Sequence, residues 1–409
     1  MKKTTLLISL LALLCVIFTE DCRACTSAII SGRLTPDGRP LLWKHRDTGE
    51  LNNRVDYIAR NKNVKYAFIA VVNAAPDEQE AWMGTNETGF SIINTASSNM
   101  NQYKEDSNDQ EGVVMYKALA CCRTLADFEA FLEKNKPLGV ETNFGVIDAY
   151  GGAAYYETGN YRYVKFDANE APGGIIIRTN YSESYDKATG WGFCRFGTAR
   201  EAIDEALAAK NLTPRFLFNT VARSLKHSLT QTDLMAELPE SADKPAFKFF
   251  TDYISRHSTS SALLIVGAKN AEMARAATMW TTVGFPLTTA VVPIWLDAAS
   301  TLPATIAMRA DLQSPLCVAG MTLKERCFSL KYGNYRNYID LAQLVNKQQT
   351  GIMQRLVAME GEIFDRAIEV QTALEKGKRG ADGQVAVYYR WLDAYLVDAY
   401  RRTFGVELL

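Results

Sequence analysis

The residue pattern predicts a layered α+β fold, and three observations carry that expectation. Strand-like runs cluster from Thr26 to Asn94 and again from Asn143 to Thr179. Helical periodicity takes over from Phe196 to Leu225. A second β region, Ser260 to Pro293, is followed by a helical stretch from Tyr338 to Leu409. Strands in runs followed by helices in runs suit segregated layers rather than alternating βαβ units. No internal repeat or low-complexity linker interrupts the chain. One large domain over residues 25–330 is therefore expected, with a helical C-terminal extension over 331–409 packed on it.

The elements are justified in order. Ser27–Ser31 is small and apolar, Thr35-Pro36-Asp37-Gly38 supplies turn chemistry, and Leu41–Trp43 begins the next strand. Val55–Asn61 and Tyr66–Val72 are further strands, and Trp82–Asn94 is a hairpin around Asn86–Gly89. Gly112–Asn135 has the spacing of one surface-packed helix. Asn143–Val164 returns to strands about a turn at Asp148–Gly152, and Ile175–Thr179 adds one more. Thr230–Leu238 is expected as a short helix. In the tail, aliphatic residues recur at helical spacing (Leu344, Ile352, Leu356, Ile363, Ile368, Leu374), with a break at Gly377–Gly383.

Composition narrows the function. The 409 residues are 47% hydrophobic and 22% charged, an ordinary globular balance. Met1–Ala24 has a basic start (Lys2, Lys3), an apolar run from Leu6 to Phe18 and a small residue last, the pattern of a secretory signal peptide. Its removal takes away three basic and two acidic residues, moving the net charge from -1 to -2. That balance offers no basic footprint for nucleic acid. No later apolar run is long enough to span a bilayer. An exported protein, periplasmic or extracellular, is expected. Six of the eight cysteines lie beyond the signal (Cys25, Cys121, Cys122, Cys194, Cys317, Cys327), none paired at zinc-site spacing, and there are three histidines. No metal and no cofactor is expected. Cys317 and Cys327 are candidates to pair across a hairpin or loop, and Cys121–Cys122 reads as helix core.

Cleavage after Ala24 makes Cys25 the first residue of the mature chain. One residue then carries a thiol and an α-amine, a nucleophile with its own base, because an α-amine titrates near ~7.7–8.0. Cys25 has three other readings. It is half of a disulfide, or the lipid-bearing cysteine of a lipoprotein, or a residue near a cut made elsewhere. Lipoprotein signals want a Leu-like residue three positions before the cysteine, and here Cys22 stands there.

Several short segments, taken together, resemble the choloylglycine hydrolase and penicillin V acylase family and the related isopenicillin N acyltransferases. The resemblance starts at Cys25-Thr26 and continues through Asp37-Gly38 and Leu41-Leu42 to Lys44-His45-Arg46-Asp47. The family has Arg-Asn-x-Asp at this last segment, so Asp47 matches its aspartate. Lys44 keeps the charge of the usual arginine but loses the planar fork. Gly84, Asn86, Glu87, Gly89 and Phe90 are similar to the family's Gly-x-Asn-Glu-x-Gly-Leu hairpin, with Asn94 after it. Thr179-Asn180 and Arg195-Phe196 with Arg200 resemble two further motifs. The match runs from Cys25 to about Pro293. Each segment also has a plain alternative: a hairpin turn at Asn86–Gly89, a cap at Asn180, a surface ion pair at Asp47 and a solvated helix residue at Arg195.

The resemblance implies an N-terminal-nucleophile hydrolase with a four-layer αββα sandwich. It implies Cys25 as nucleophile, its α-amine as base, Asp47 orienting that amine, and Asn94 and Asn180 as oxyanion donors. It further implies Arg195 fixing Asp47 and the Cys25 terminus, and Lys44 contacting substrate. The substrate is a small N-acylated compound cleaved at a linear amide through an acyl thioester. Two alternatives are an acyltransferase with an amine acceptor and a non-catalytic lipoprotein or binding module. A homo-oligomer, dimer or tetramer, is also implied.

Overall fold

In the computed structural model, residues 24–75, 79–100, 109–307, 309, 311, 313–376 and 381–409 are described. The signal segment up to Arg23, Cys22 included, and most of the break at Gly377–Gly383 lie outside them. In chain order come β1 (Thr26–Ile30), β2 (Leu41–Asp47), β3 (Asn53–Ile58), β4 (Phe68–Asn73), β5 (Met83–Asn86) and β6 (Ser91–Ala96). Helices α1 (Glu111–Cys121) and α2 (Leu125–Lys134) follow, then β7 (Thr142–Ile147), β8 (Ala153–Thr158), β9 (Tyr163–Asp167), β10 (Ile175–Arg178) and α3 (Phe193–Ala208). The short strands β11 (Lys226–His227), β12 (Thr232–Asp233) and β13 (Phe247–Phe249) lead to β14 (Thr259–Val266), β15 (Thr278–Val283) and β16 (Val292–Trp295). The chain ends with α4 (Pro315–Cys327), β17 (Tyr338–Asp340), α5 (Ile352–Glu375) and α6 (Ala381–Phe404).

Two antiparallel sheets form the centre. One has the order β10-β1-β2-β14-β15-β16, and the other runs β3 to β9 as a meander. Period-2 alternation divides the meander's faces. Ile69, Val71, Met83, Ile93 and Tyr155 point into a core shared with Ile29, Leu42 and Ile265 of the first sheet. Their neighbours Phe68, Ala70, Val72, Ile92, Phe144 and Tyr156 point the other way, against Met115, Leu119, Phe128 and Leu132 of α1 and α2. On the outer side of the first sheet, α3 buries Arg195, Ala199, Ala202, Ile203 and Ala206, one helical stripe. Helices α5 and α6 cover the same side. Phe364 stacks on Trp280 at 4.7 Å, and the Tyr389 and Tyr400 hydroxyls accept from the Trp295 and Ala290 amides. The architecture is the expected αββα sandwich with a helical C-terminal region.

Four expectations are corrected. Gly112–Asn135 is two helices, because Thr124 and Asp127 form a reciprocal capping box that starts α2 afresh. Thr230–Leu238 is not a helix: Thr232-Asp233 pairs with Lys226-His227 in a two-stranded ribbon. Cys317 and Cys327 stand ten residues apart on one helix, about 15 Å of rise. A disulfide spans at most ~7 Å between Cα atoms, so both thiols are free. That helix, α4, announces itself by Ser314 at the N-cap and Pro315 at the first helical position. Finally, Tyr338–Asp340 is a strand paired with Phe247–Phe249, and the long helices begin only at Ile352.

Candidate active site

Strand register gathers the site. Ser27 pairs with Arg178 on one flank of β1 and Thr26 with His45 on the other. Continuing both registers by a residue or two sets Cys25 across from Asn180 and beside Arg46. On the far side of β2, Asp47 pairs with Thr259. Four sequence-distant segments therefore end at one edge of one sheet, and Cys25, 6% exposed, sits at their meeting point.

Arg195 ties two of these segments. Its Nη1 donates to the Cys25 carbonyl at 2.6 Å and to Thr26 Oγ1 at 2.8 Å, and its Nη2 donates to Asn180 Oδ1 at 2.7 Å. Gly192 makes room for this: at φ +91 it starts α3, and a Cβ there would lie 2.3 Å from Arg195 Nη2. Arg195 is 1% exposed, and burial, helped by nearby Arg256, lowers its pKa to about 10, so it stays charged at neutral pH. It is a buried positioning residue, which rejects the solvated-helix alternative. Arg200 of the same motif is the solvated one, half-exposed and 3.6 Å from Asp204.

Arg195 does not hold Asp47, contrary to expectation. Arg256 does, donating from Nη2 at 2.7 Å and Nε at 3.2 Å to Asp47 Oδ2, while Thr259 Oγ1 donates to Oδ1 at 2.5 Å. The Asp47 side chain is fully buried, so this is no surface pair. Arg256 Nη2 also reaches the Ala24 carbonyl at 3.2 Å, immediately before Cys25. Neither Arg256 nor Thr259 stands out in the sequence. Before the fold brings Asp47 alongside, an arginine just ahead of a buried strand looks no different from a solvated one.

Lys44 Nζ donates to Asn94 Oδ1 at 2.6 Å and to the Trp82 carbonyl at 2.9 Å. Burial lowers its pKa to about 8, against the pull of the Cys25 charge. Asn94 Nδ2 donates to Thr142 Oγ1 at 3.2 Å. Asn180 Nδ2 donates to the Ala96 carbonyl at 2.8 Å, and its backbone N–H pairs with Trp191, so it does not cap a helix. Asn86 is structural: its Nδ2 holds the Leu119 and Cys122 carbonyls at the end of α1 while Gly89 turns the hairpin at φ +81. His45 is fully buried and held down to about 4 by burial, so it is neutral at pH 7.

A cavity of about 150 Å³ opens at Cys25, lined also by Lys44, Arg46, Asp47, Trp82, Asn94 and Glu111. Arg46 lies over the Trp82 ring at 4.3 Å. Asn180 and Arg195 stand behind the Cys25 backbone rather than in the cavity wall. Wider hollows of about 630 and 340 Å³ lie away from Cys25 and are lined by no cysteine or serine. Among the described residues no helix is long and apolar enough to cross a membrane.

The sequence matches no protein-family model and no curated protein sequence. By fold, the chain is similar to a solved N-acylethanolamine-hydrolyzing acid amidase ortholog from Caenorhabditis elegans, at 12% identity and a TM-score of 0.40 over 59% of this chain and 92% of that one. It is also similar to a mutant conjugated bile acid hydrolase from Clostridium perfringens, at 12% identity and a TM-score of 0.41 over 67% of this chain and 92% of that one. A third similar structure is penicillin V acylase from Agrobacterium tumefaciens, at 13% identity and a TM-score of 0.39 over 71% of this chain and 88% of that one.

Proposed function

We propose that the protein is an exported N-terminal-cysteine amidohydrolase that cleaves a linear amide of a small N-acylated compound. The observation that carries this reading is the convergence at Cys25: a thiol in a small cavity, its own carbonyl held by buried Arg195, and the residue before it held by the Arg256–Asp47 pair. Removal of the segment ending at Ala24 frees an α-amine at this point. Acyl transfer needs a nucleophile, a proton acceptor and donors near the developing oxyanion. Of the three histidines, His45 and His257 are held down to about 4 and about 3, chiefly by burial, which favours the α-amine as base over either.

The steps follow. The α-amine takes the Cys25 thiol proton, and Sγ attacks the amide carbonyl carbon to form a tetrahedral oxyanion. Collapse breaks the C–N bond while the ammonium returns its proton to the leaving nitrogen. Water then adds to the thioester with the amine again accepting a proton, and the carboxylic acid departs as the thiol re-forms. Asp47 keeps the ammonium oriented, Lys44 meets the substrate, and Asn94 serves the oxyanion from the cavity wall; Asn180, which does not line the cavity, is assigned to the oxyanion on its motif alone. The packing around Cys25 disfavours the lipoprotein alternative, since a lipid on its sulfur would far exceed the cavity of about 150 Å³ beside it.

Intact-mass analysis and N-terminal sequencing of the exported protein test this reading. A chain starting at Cys25 with an unmodified amine is expected, together with loss of amide cleavage in Cys25→Ala. A lipid on Cys25, a different first residue, or wild-type turnover in Cys25→Ala overturns it.

A further inference from the structure

Resting on that reading, we propose that the cavity beside Cys25 takes a substrate carrying a primary ammonium group, with the Glu111 carboxyl as its receptor. The geometry of one wall leads to this. Glu50, Glu80, Asp109 and Glu111 all line the cavity, against Lys44 and Arg46, while Asp47 is matched by Arg256. Acidic residues alone would signify little. Glu111 adds an independent observation: it is 5% exposed, yet its Oε2 has no hydrogen-bond partner among the described residues.

A buried carboxyl oxygen without a donor costs free energy comparable to a lost hydrogen bond or more. The lysine that shares its cavity does not relieve it, because Lys44 is seated on Asn94 and the Trp82 carbonyl. Glu111 opens α1, where the helix dipole favours an anion. Burial together with its bond to Asp109 nevertheless raises its pKa to about 8, so it waits largely protonated at neutral pH. An arriving ammonium supplies donors and charge at once: the proton leaves for solvent and a charge-assisted pair forms.

Size and shape select the class further. About 150 Å³ is below the ~300–1,000 Å³ of sites that enclose drug-sized ligands, which suits an aminoacyl-sized group rather than a steroid or long hydrocarbon. Among the described residues no group of three histidine, cysteine or carboxylate side chains stands close enough to hold a metal ion, and the test below sets calcium against an amine.

The test uses the mature full-length chain. Two matched pairs of amides are compared: aminoacyl anilides with a free α-ammonium against their N-formyl forms, and N-acyl diamines against N-acyl amino-alcohols. The ammonium member of at least one pair should have a kcat/KM about tenfold higher or more, the scale of one charged hydrogen bond. Glu111→Gln should collapse that ratio towards one. Equal or better cleavage of both neutral members, or an unchanged ratio in Glu111→Gln, overturns the proposal while leaving the hydrolase reading intact. A second measurement does not need turnover. Calorimetry on Cys25→Ala should detect n-butylammonium but not n-butanol, with proton release at pH 7. Absence of amine binding, or binding of calcium in its place, overturns the proposal. Failure of the hydrolase reading shows separately, as no cleavage of any amide with an unblocked Cys25.

Discussion

Replacing Asp47 by Asn changes charge with almost no change in shape, and the structure fixes what should follow. The amide oxygen can still accept from Arg256, and the new NH2 can face Thr259 Oγ1, which accepts as readily as it donates. What disappears is the negative charge opposite a guanidinium whose side chain is 11% exposed. Breaking a buried ion pair from one side costs about 3–5 kcal/mol. Retained hydrogen bonding puts this case at the low end, about 3 kcal/mol, or roughly a hundredfold in the unfolding equilibrium. Activity should fall as well. A positioned proton acceptor contributes about 10²–10⁴ to rate, and the α-amine loses the anion that orients it.

The double variant Asp47→Asn/Arg256→Met separates the two effects. It leaves no uncompensated charge, so urea unfolding should recover most of the stability lost in Asp47→Asn. The turnover number should stay depressed, because the ammonium still lacks its anion. Unfolding midpoints and kcat measured on the same preparations decide the matter. Stability of Asp47→Asn within about 1 kcal/mol of wild type would contradict a buried pair, since that is the range of exposed ones. Full recovery of kcat in the double variant would mean that Asp47 serves only to neutralise Arg256, and its catalytic role would have to be withdrawn.

Three further outcomes are expected. Asn180→Ala should lower kcat by about 10²–10³ with KM little changed, as for loss of an oxyanion donor; unchanged kcat per folded molecule, with a lowered melting temperature, would reduce Asn180 to the tie between Arg195 and Ala96. Glu360→Gln should destabilise by about 3–5 kcal/mol without altering kcat, because Glu360 is the fully buried partner of Arg223 at 2.6 Å and does not line the cavity at Cys25. For Lys44, the native group loses its proton near about 8 and the unfolded one near 10.5, so between these values the unfolded chain binds more protons and this contribution to stability rises with pH. A Lys44→Met variant should lack that rise in urea midpoints from pH 8 to 10, and an identical pH slope would refute the depressed pKa.

Much of this was legible in the sequence, for identifiable reasons. Alternation separates Ile69 and Val71 from Phe68 and Ala70, which already specifies a sheet covered on both faces. Cys25, Asp47 and Asn180 could be named as candidates because each stands at or just beyond a strand end beside recognisable residues, and Lys44 because it lies within β2 three residues before Asp47. The break within Gly112–Asn135 was also there to be read, in the Thr124–Asp127 capping box. Arg256 was not: nothing local distinguishes a buried arginine from a solvated one until the partner carboxylate is in place. Glu111 was hidden likewise, since a glutamate in the first turn of a helix has an ordinary explanation in the helix dipole.

The Asp47 contact shows why register and not proximity in sequence sets this site. Along most of β14, pairing with β2 is regular, with Ser261 opposite Arg46, Ala262 opposite His45 and Leu263 opposite Lys44. Carried on unchanged, that register would set Thr259 opposite Thr48. A bulge between Thr259 and Ser261 shifts the pairing by one, and Thr259 comes opposite Asp47 instead. Because side chains alternate faces, a one-residue shift decides which face a group joins. Here it turns the Thr259 hydroxyl onto Asp47 Oδ1 and lets the Arg256 amide donate back to the same hydroxyl at 2.8 Å. Bulges bend a strand and re-aim its side chains, and they recur beside active sites. One extra residue at the head of β14 therefore aligns the carboxylate, its hydroxyl donor and its guanidinium partner next to the first residue of the proposed mature chain, without any change in the sheet that carries them.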